Sequence, residues 1–204
     1  MSLEFRSHSA RDDARAAERR SAACQDAVVI IWLNGTFGAG KTTTARLLAQ
    51  RDQRFRVFDP ESVGYLLREN LGDFPVGDFR DWESWRVLTP IVADELIRFT
   101  GQHLVAPQTV FEESYWDELI AGLAQRGHQV QHVLLEADDD VLRARIEANL
   151  IDADAGPWRL GHVSTYALAR GWLSRRADAI VDTTDSTPAQ VADRVWKIAQ
   201  GHIE

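Results

Sequence analysis

Eight consecutive residues, Gly35-Thr36-Phe37-Gly38-Ala39-Gly40-Lys41-Thr42, fit the pattern G-x-x-x-x-G-K-[ST]. Glycines at these positions let the backbone curl so that successive N–H groups converge on phosphate oxygens. The two residues that close the pattern supply the rest of what a Mg2+-nucleotide needs. Lys41 reaches the β- and γ-phosphates, and the Thr42 hydroxyl is the ligand to Mg2+. Thr43 follows in the first turn of a helix whose positive end faces the anion. Gly35 to Thr43 are therefore assigned to nucleotide binding, Thr42 also to the metal, and Lys41 also to catalysis. The competing reading is a Gly-rich turn that caps a helix, and the flanking elements count against it.

A second chemical candidate is Asp59, in FDPESVGYLL, at the predicted end of the second strand. Open parallel sheets bind ligands at the carboxyl ends of their strands, so a carboxylate there faces the γ-phosphate side. It can accept the proton of an acceptor hydroxyl during phosphoryl transfer. Asp59-Pro60 is equally a good N-cap followed by a first helical residue, and the two roles are compatible. Transfer of a phosphoryl group spreads negative charge over three oxygens and calls for a cation, with Arg143, Arg145 and Arg159 as candidates. Phe79, Arg80, Trp82, Trp85 and Arg86 form an aromatic and arginine cluster able to stack on a base or sugar and hold a polar tail. Trp85 with Leu88 and Val92 also has the spacing of a helix core.

These residues need strands and helices to hold them. Ala27 to Leu33 (AVVIIWL) is continuous and β-branched, as in a strand buried on both faces of a parallel sheet. Further strands are expected at Phe55–Phe58, His103–Ala106, Val130–Glu136 and Ala179–Val181. Helices are expected at Lys41–Arg51, Pro60–Asn70, Trp82–Phe99 (kinked at Pro90), Ser114–Arg126, Asp138 to about Leu150, Ser164–Arg175 and Pro188–Gln200. Ile151 to Val163 reads as a mobile loop. Five strands separated by helices imply a parallel α/β sandwich with right-handed crossovers. Met1 to Asp26 reads as a loosely ordered extension, with a fraying helix over Ala10 to Ala23, and 27–204 as one domain.

With 204 residues the chain can bury a real core. Its net charge of −8 argues against a broad nucleic-acid or anionic-membrane surface. Cys24 is the single cysteine, which excludes an intrachain disulfide and a cysteine metal cluster. No apolar run is long enough to span a bilayer and no signal peptide is visible, so the expected location is cytoplasmic. A homodimer stays open.

The stretches IIWLNGTFGAGKTTTA, FDPESVGYLLR, Asp78-Phe79 with Trp85-Arg86, and VAPQTV resemble the tunicamycin-resistance ATP-binding proteins. These are similar to the wider group of small P-loop kinases that includes chloramphenicol phosphotransferase, shikimate kinase and gluconate kinase. The likeness runs from about Val28 to Ala199. It implies a P-loop NTPase three-layer sandwich with strand order 2-3-1-4-5, an ATP donor with Mg2+, and a lid between strands four and five.

By the same resemblance Asp59 matches the catalytic base, Arg145 packs over the adenine, and Thr183 lies in the loop that contacts the adenine edge. An acceptor would sit between the helix after Asp59 and the Trp82–Phe99 helix, near Trp82, Trp85 and Arg86. Gln108, Thr109 and Glu112 would meet it from the third strand. Alternatively Gln108 and Thr109 merely end the strand, with Ser114 and Asp117 as a capping box. The third strand lacks the Mg2+-organising Asp of many P-loop proteins, which leaves Asp59 through water, Glu112 or Glu113 for that role. The expected function is an ATP-dependent phosphotransferase acting on a hydroxyl of a small molecule, a nucleoside antibiotic such as tunicamycin, to give resistance. The alternatives are drug sequestration without chemistry and a housekeeping metabolite kinase.

Overall fold

The run VIIWLN forms β1 (Val29–Asn34), and every one of its residues is buried. In the computed structural model, which describes residues 28–148 and 156–201, this strand is the middle of a five-stranded sheet. The others are β2 (Phe55–Val57), β3 (His103–Pro107), β4 (Gln129–Glu136) and β5 (Ala179–Asp182). All pairings are parallel and the order is β2-β3-β1-β4-β5, as the resemblance implies. The 1–26 extension and the helix expected within it lie outside the described residues.

Side chains alternate along β1, and this divides the interior into two cores. Ile30 and Trp32 face one, with Trp85, Leu104, Trp116, Leu119 and Leu173. Val29, Ile31 and Leu33 face the other, with Leu48, Val105, Leu135, Val195 and Trp196. The helices follow this division. Those contributing to the first core are α2 (Glu61–Asn70), α3 (Glu83–Thr100), α4 (Glu113–Ala124) and α6 (Gly156–Arg176). The second is covered by α1 (Lys41–Arg51), α5 (Asp139–Glu147) and α7 (Pro188–Gln200). After β1 the chain therefore leaves towards one face, and after its neighbour β3 towards the other. A crevice opens between the two strand ends, the place where such sheets bind ligands.

Two local expectations change. The span read as a loop to Val163 is helical from Gly156, because Pro157 suits a first helical turn and Val163, Tyr166, Ala169 and Leu173 recur at helical spacing on the buried side; 149–155 lie outside the described residues. Ser114 and Asp117 form no capping box: α4 starts at Glu113 without a side-chain cap, and Asp117 instead accepts from Arg176 at 2.7 Å. Helix α3 passes through Pro90 as one helical span. A Cβ on Gly122 of α4 would lie 2.8 Å from the Pro90 ring, so glycine there lets the two helices meet.

Candidate nucleotide and phosphoryl-transfer site

Two backbone conformations shape the phosphate loop. Gly35 has φ of 129° and Gly38 φ of 80°, both in the region that favours glycine. A Cβ on Gly35 would stand 2.2 Å from the Leu135 carbonyl oxygen, so β4 presses directly on the loop. Asn34, the last residue of β1, fastens the loop from below. Its Oδ1 accepts from the N–H groups of Gly35 (2.9 Å) and Val110 (3.1 Å). The Thr109 hydroxyl donates to the Gly35 carbonyl at 2.8 Å. Together these bonds join the ends of β1 and β3 around the crevice.

Lys41 opens α1 and is buried. Its Nζ donates to the carbonyls of Gly35 (2.9 Å) and Thr36 (2.8 Å) and lies 5.5 Å from the centre of the Phe37 ring. Burial brings its pKa down from the ordinary 10.5 to about 7; the Glu61 charge opposes this, while Arg80 and Arg159 add to it. Bound phosphates would favour the charged form and raise that value again. Nucleotide binding above pH 7 is thus expected to take up a proton, approaching about one per nucleotide near pH 8.5. Calorimetry in buffers of different ionisation heat measures this directly, and zero uptake would show an ammonium already charged in the empty site.

A cavity of about 660 Å³ extends over the loop. One end is lined by Thr183, Ser186, Pro188 and Val191, the other by Glu61, Pro107, Thr109 and Arg159, with Lys41, Thr42 and Thr43 on the wall. Thr42 and Thr43 are exposed, and the Thr42 hydroxyl is available to a metal beside Lys41. Arg145 reaches across to the β5–α7 loop. Its guanidinium donates to Thr183 Oγ1 (3.0 Å), Thr183 O (2.7 Å) and Thr184 O (3.2 Å), and more weakly to Gly38 O (3.4 Å). Arg145 thus ties the phosphate loop to Thr183 and forms part of the cavity wall. Of the three lid candidates, Arg145 and Arg159 line the cavity, while Arg143 is exposed on α5.

Helix α6, in the segment where the resemblance implies a lid, is seated on the phosphate loop by rings. Phe37 meets Trp158 edge-on at 5.1 Å and His162 at 5.5 Å, and His162 stacks on Phe111 at 5.8 Å. Arg159 lies 5.7 Å from the Phe37 ring.

The remaining candidates are distributed differently from the sequence expectation. Trp85 is fully buried and its indole N–H donates to the Pro60 carbonyl at 3.0 Å, so it holds the β2–α2 turn in place. Trp82 donates to the Phe74 carbonyl at 3.1 Å. Arg86 pairs with Glu118 at 2.6 Å and also donates to the Arg80 carbonyl at 2.7 Å. Gln108 is buried and donates to the Thr109 carbonyl at 2.9 Å. Glu112 is exposed at the start of α4. Asp59 lines a separate groove of about 330 Å³ between α2 and α3, with Ser62, Val63, Leu66, Val92 and Leu96. Its Oδ1 accepts from the Glu61 N–H at 3.0 Å.

The motif reading passed over Glu61, and it took Arg80 only with its aromatic neighbours. Glu61 lines the phosphate cavity. Arg80 is buried, forked onto Asp78 at 2.6 and 2.9 Å, and donates to the Thr109 carbonyl at 2.9 Å. The D-x-E spacing of Asp59 and Glu61 was a readable signal for the first; for Arg80 there was none beyond its aromatic neighbours.

A parallel 2-3-1-4-5 sheet with a Lys-Thr phosphate loop at its central strand defines a nucleotide-binding P-loop domain of the small-kinase type. Its kinship can be stated more narrowly. The chain belongs to the AAA domain family, which matches residues 30–150. Its structure is similar to that of a Deinococcus radiodurans tunicamycin resistance protein, at 27% identity and a TM-score of 0.65, covering 84% of this chain and 95% of that one. It is also similar in fold to the Mycobacterium tuberculosis APS kinase CysC in complex with AMPPNP and APS (18% identity, TM-score 0.62, 85% and 98% covered). A sugar kinase from Janibacter sp. HTCC2649 is similar as well (16% identity, TM-score 0.58, 87% and 99% covered). No protein of curated function matches the chain. No helix among the described residues is long and apolar enough to cross a membrane.

Proposed function

We propose that the protein is a cytoplasmic kinase that moves the γ-phosphoryl group of ATP to a hydroxyl of a small molecule, a nucleoside antibiotic of the tunicamycin type, and so confers resistance. The observation that carries this reading is the cavity itself. Its lining runs from Thr183 and Val191, over the phosphate loop, to Glu61 and Arg159. Thr42 would hold Mg2+, which would supply positive charge to offset that of the phosphates. Lys41 and Arg159 would hold the transferring group, Arg145 and Thr183 the base end. The turn Asp59-Pro60-Glu61 would supply the base. Kinship with a tunicamycin resistance protein supports the choice of acceptor.

One observation favours a second reading, sequestration of the drug without chemistry. The end of β3, Pro107-Gln108-Thr109, carries no carboxylate to organise Mg2+. Mass spectrometry of tunicamycin incubated with the protein and Mg-ATP separates the two. A gain of one phosphate is the expected result. Tight binding of an unchanged drug would select sequestration, and neither binding nor modification would reject tunicamycin and direct the assay to a panel of other nucleosides and metabolites.

A further inference from the structure

We propose that Glu61, and not Asp59, takes the proton from the acceptor hydroxyl. The assignment rests on the phosphotransferase reading and concerns which of two acids serves it. The two carboxylates stand either side of Pro60, and the start of α2 sends them to different places. Asp59 is committed to the helix N-terminus through the Glu61 N–H, and it lines the groove between α2 and α3. Glu61, one residue into the first turn, lines the cavity that contains Lys41, Thr42 and Thr109. The buried Trp85 indole holds the Pro60 carbonyl between them, which keeps the turn from rotating to exchange the pair.

The surroundings of Glu61 suit a base. Lys41 approaches from α1, Asp59 from the turn and Arg80 from the 3-10 turn at Phe79–Asp81, while Tyr65 on the same helix donates to Oε2 at 3.4 Å. Burial raises the Glu61 carboxyl above its ordinary range and the Asp59 charge adds to this; Lys41, Tyr65 and Arg80 oppose it. A carboxylate with raised proton affinity is a better acceptor than a free one, provided it is ionised at the working pH. In the transfer the hydroxyl oxygen bonds to the γ-phosphorus. The bond from that phosphorus to the β–γ bridging oxygen breaks, and ADP leaves with the electron pair. The hydroxyl proton passes to Glu61 and then to water.

The test compares Glu61→Gln, Asp59→Asn and Tyr65→Phe, using Mg-ATP with tunicamycin, or with whichever acceptor of the panel the wild type phosphorylates. Glu61→Gln should lower kcat by about 100-fold or more with nucleotide affinity unchanged. Asp59→Asn should keep most of the transfer rate and move the acidic limb of the kcat profile to lower pH, because a charge that raises the Glu61 pKa is gone. Tyr65→Phe should move that limb to higher pH. Transfer that survives Glu61→Gln but is lost in Asp59→Asn would overturn this assignment while leaving the kinase reading intact. Rescue of Glu61→Gln by excess Mg2+ would also overturn it, by making Glu61 a metal-organising residue. A wild-type protein that phosphorylates nothing in the panel overturns the kinase reading, and this assignment with it.

Discussion

Lys41→Ala lowers nucleotide-dependent turnover by about 100- to 1,000-fold, the scale of losing one preorganised charge at a transferring group. Lys41 is buried beside the loop, with its ammonium on the Gly35 and Thr36 carbonyls. A nucleotide must draw that ammonium from the carbonyls to its phosphates, and alanine leaves nothing to draw. The fold itself does not depend on the lysine in the same way. Gly35 O keeps its bond from Thr109, and an ammonium that burial brings down to about 7 is a desolvated group that the empty fold holds at some cost. The sign follows from proton counting. Between about 7 and 10.5 the unfolded chain keeps this proton and the folded chain has released it, so stability rises with pH across that window. Denaturant titrations at several pH values should show the rise in the wild type and its loss in Lys41→Ala. Turnover that persists in the variant would remove Lys41 from the mechanism.

Gly35→Ala is expected to act on folding and binding together. The new Cβ would have to occupy space 2.2 Å from the Leu135 carbonyl oxygen, at a φ of 129° that a side chain rarely adopts. Neither partner can yield cheaply, because Leu135 belongs to β4, whose Leu33↔Val133 and Asn34↔Leu134 pairings lie alongside. Strain and overpacking together should cost about 3 kcal/mol or more, which for a protein of this size lowers Tm by roughly 10 °C. The loop would also lift away from Thr109 and Lys41, both of which donate to the carbonyl of Gly35. Thermal unfolding and nucleotide titration should both report the loss. Gly40→Ala is the comparison: its φ is 94° but no atom stands within 4 Å of the added Cβ, so it should bring backbone strain without a clash.

Much of the positioning frame was readable before any coordinates. Val29–Leu33 announces itself because a strand covered on both faces must be apolar throughout. The last helix is found at its observed ends, Pro188 and Gln200, because a proline suits the first turn, and Thr187 with Gln190 then forms a capping box. The start of α6 was hidden by the same chemistry, since Gly156-Pro157 reads as a loop and the buried helical series begins only at Val163. Side-chain direction was less legible. Asp59 and Glu61 are equally acidic in the sequence, and only the folded turn shows Glu61 lining the phosphate cavity and Asp59 the groove between α2 and α3. Arg86 seemed able to serve a ligand because its partner, Glu118, lies 32 residues away on another helix. Trp85 satisfied both readings until its complete burial separated them.

The alternation along β1 has an evolutionary consequence. Helices α1, α5 and α7 pack into one interior, while α2, α3, α4 and α6 pack into the other. The sheet between them is a partition, and substitutions on its opposite faces have few shared neighbours through which to interfere. A lineage can therefore repack one interior step by step with little effect on the packing of the other, so the two halves of the domain are free to diverge at different rates.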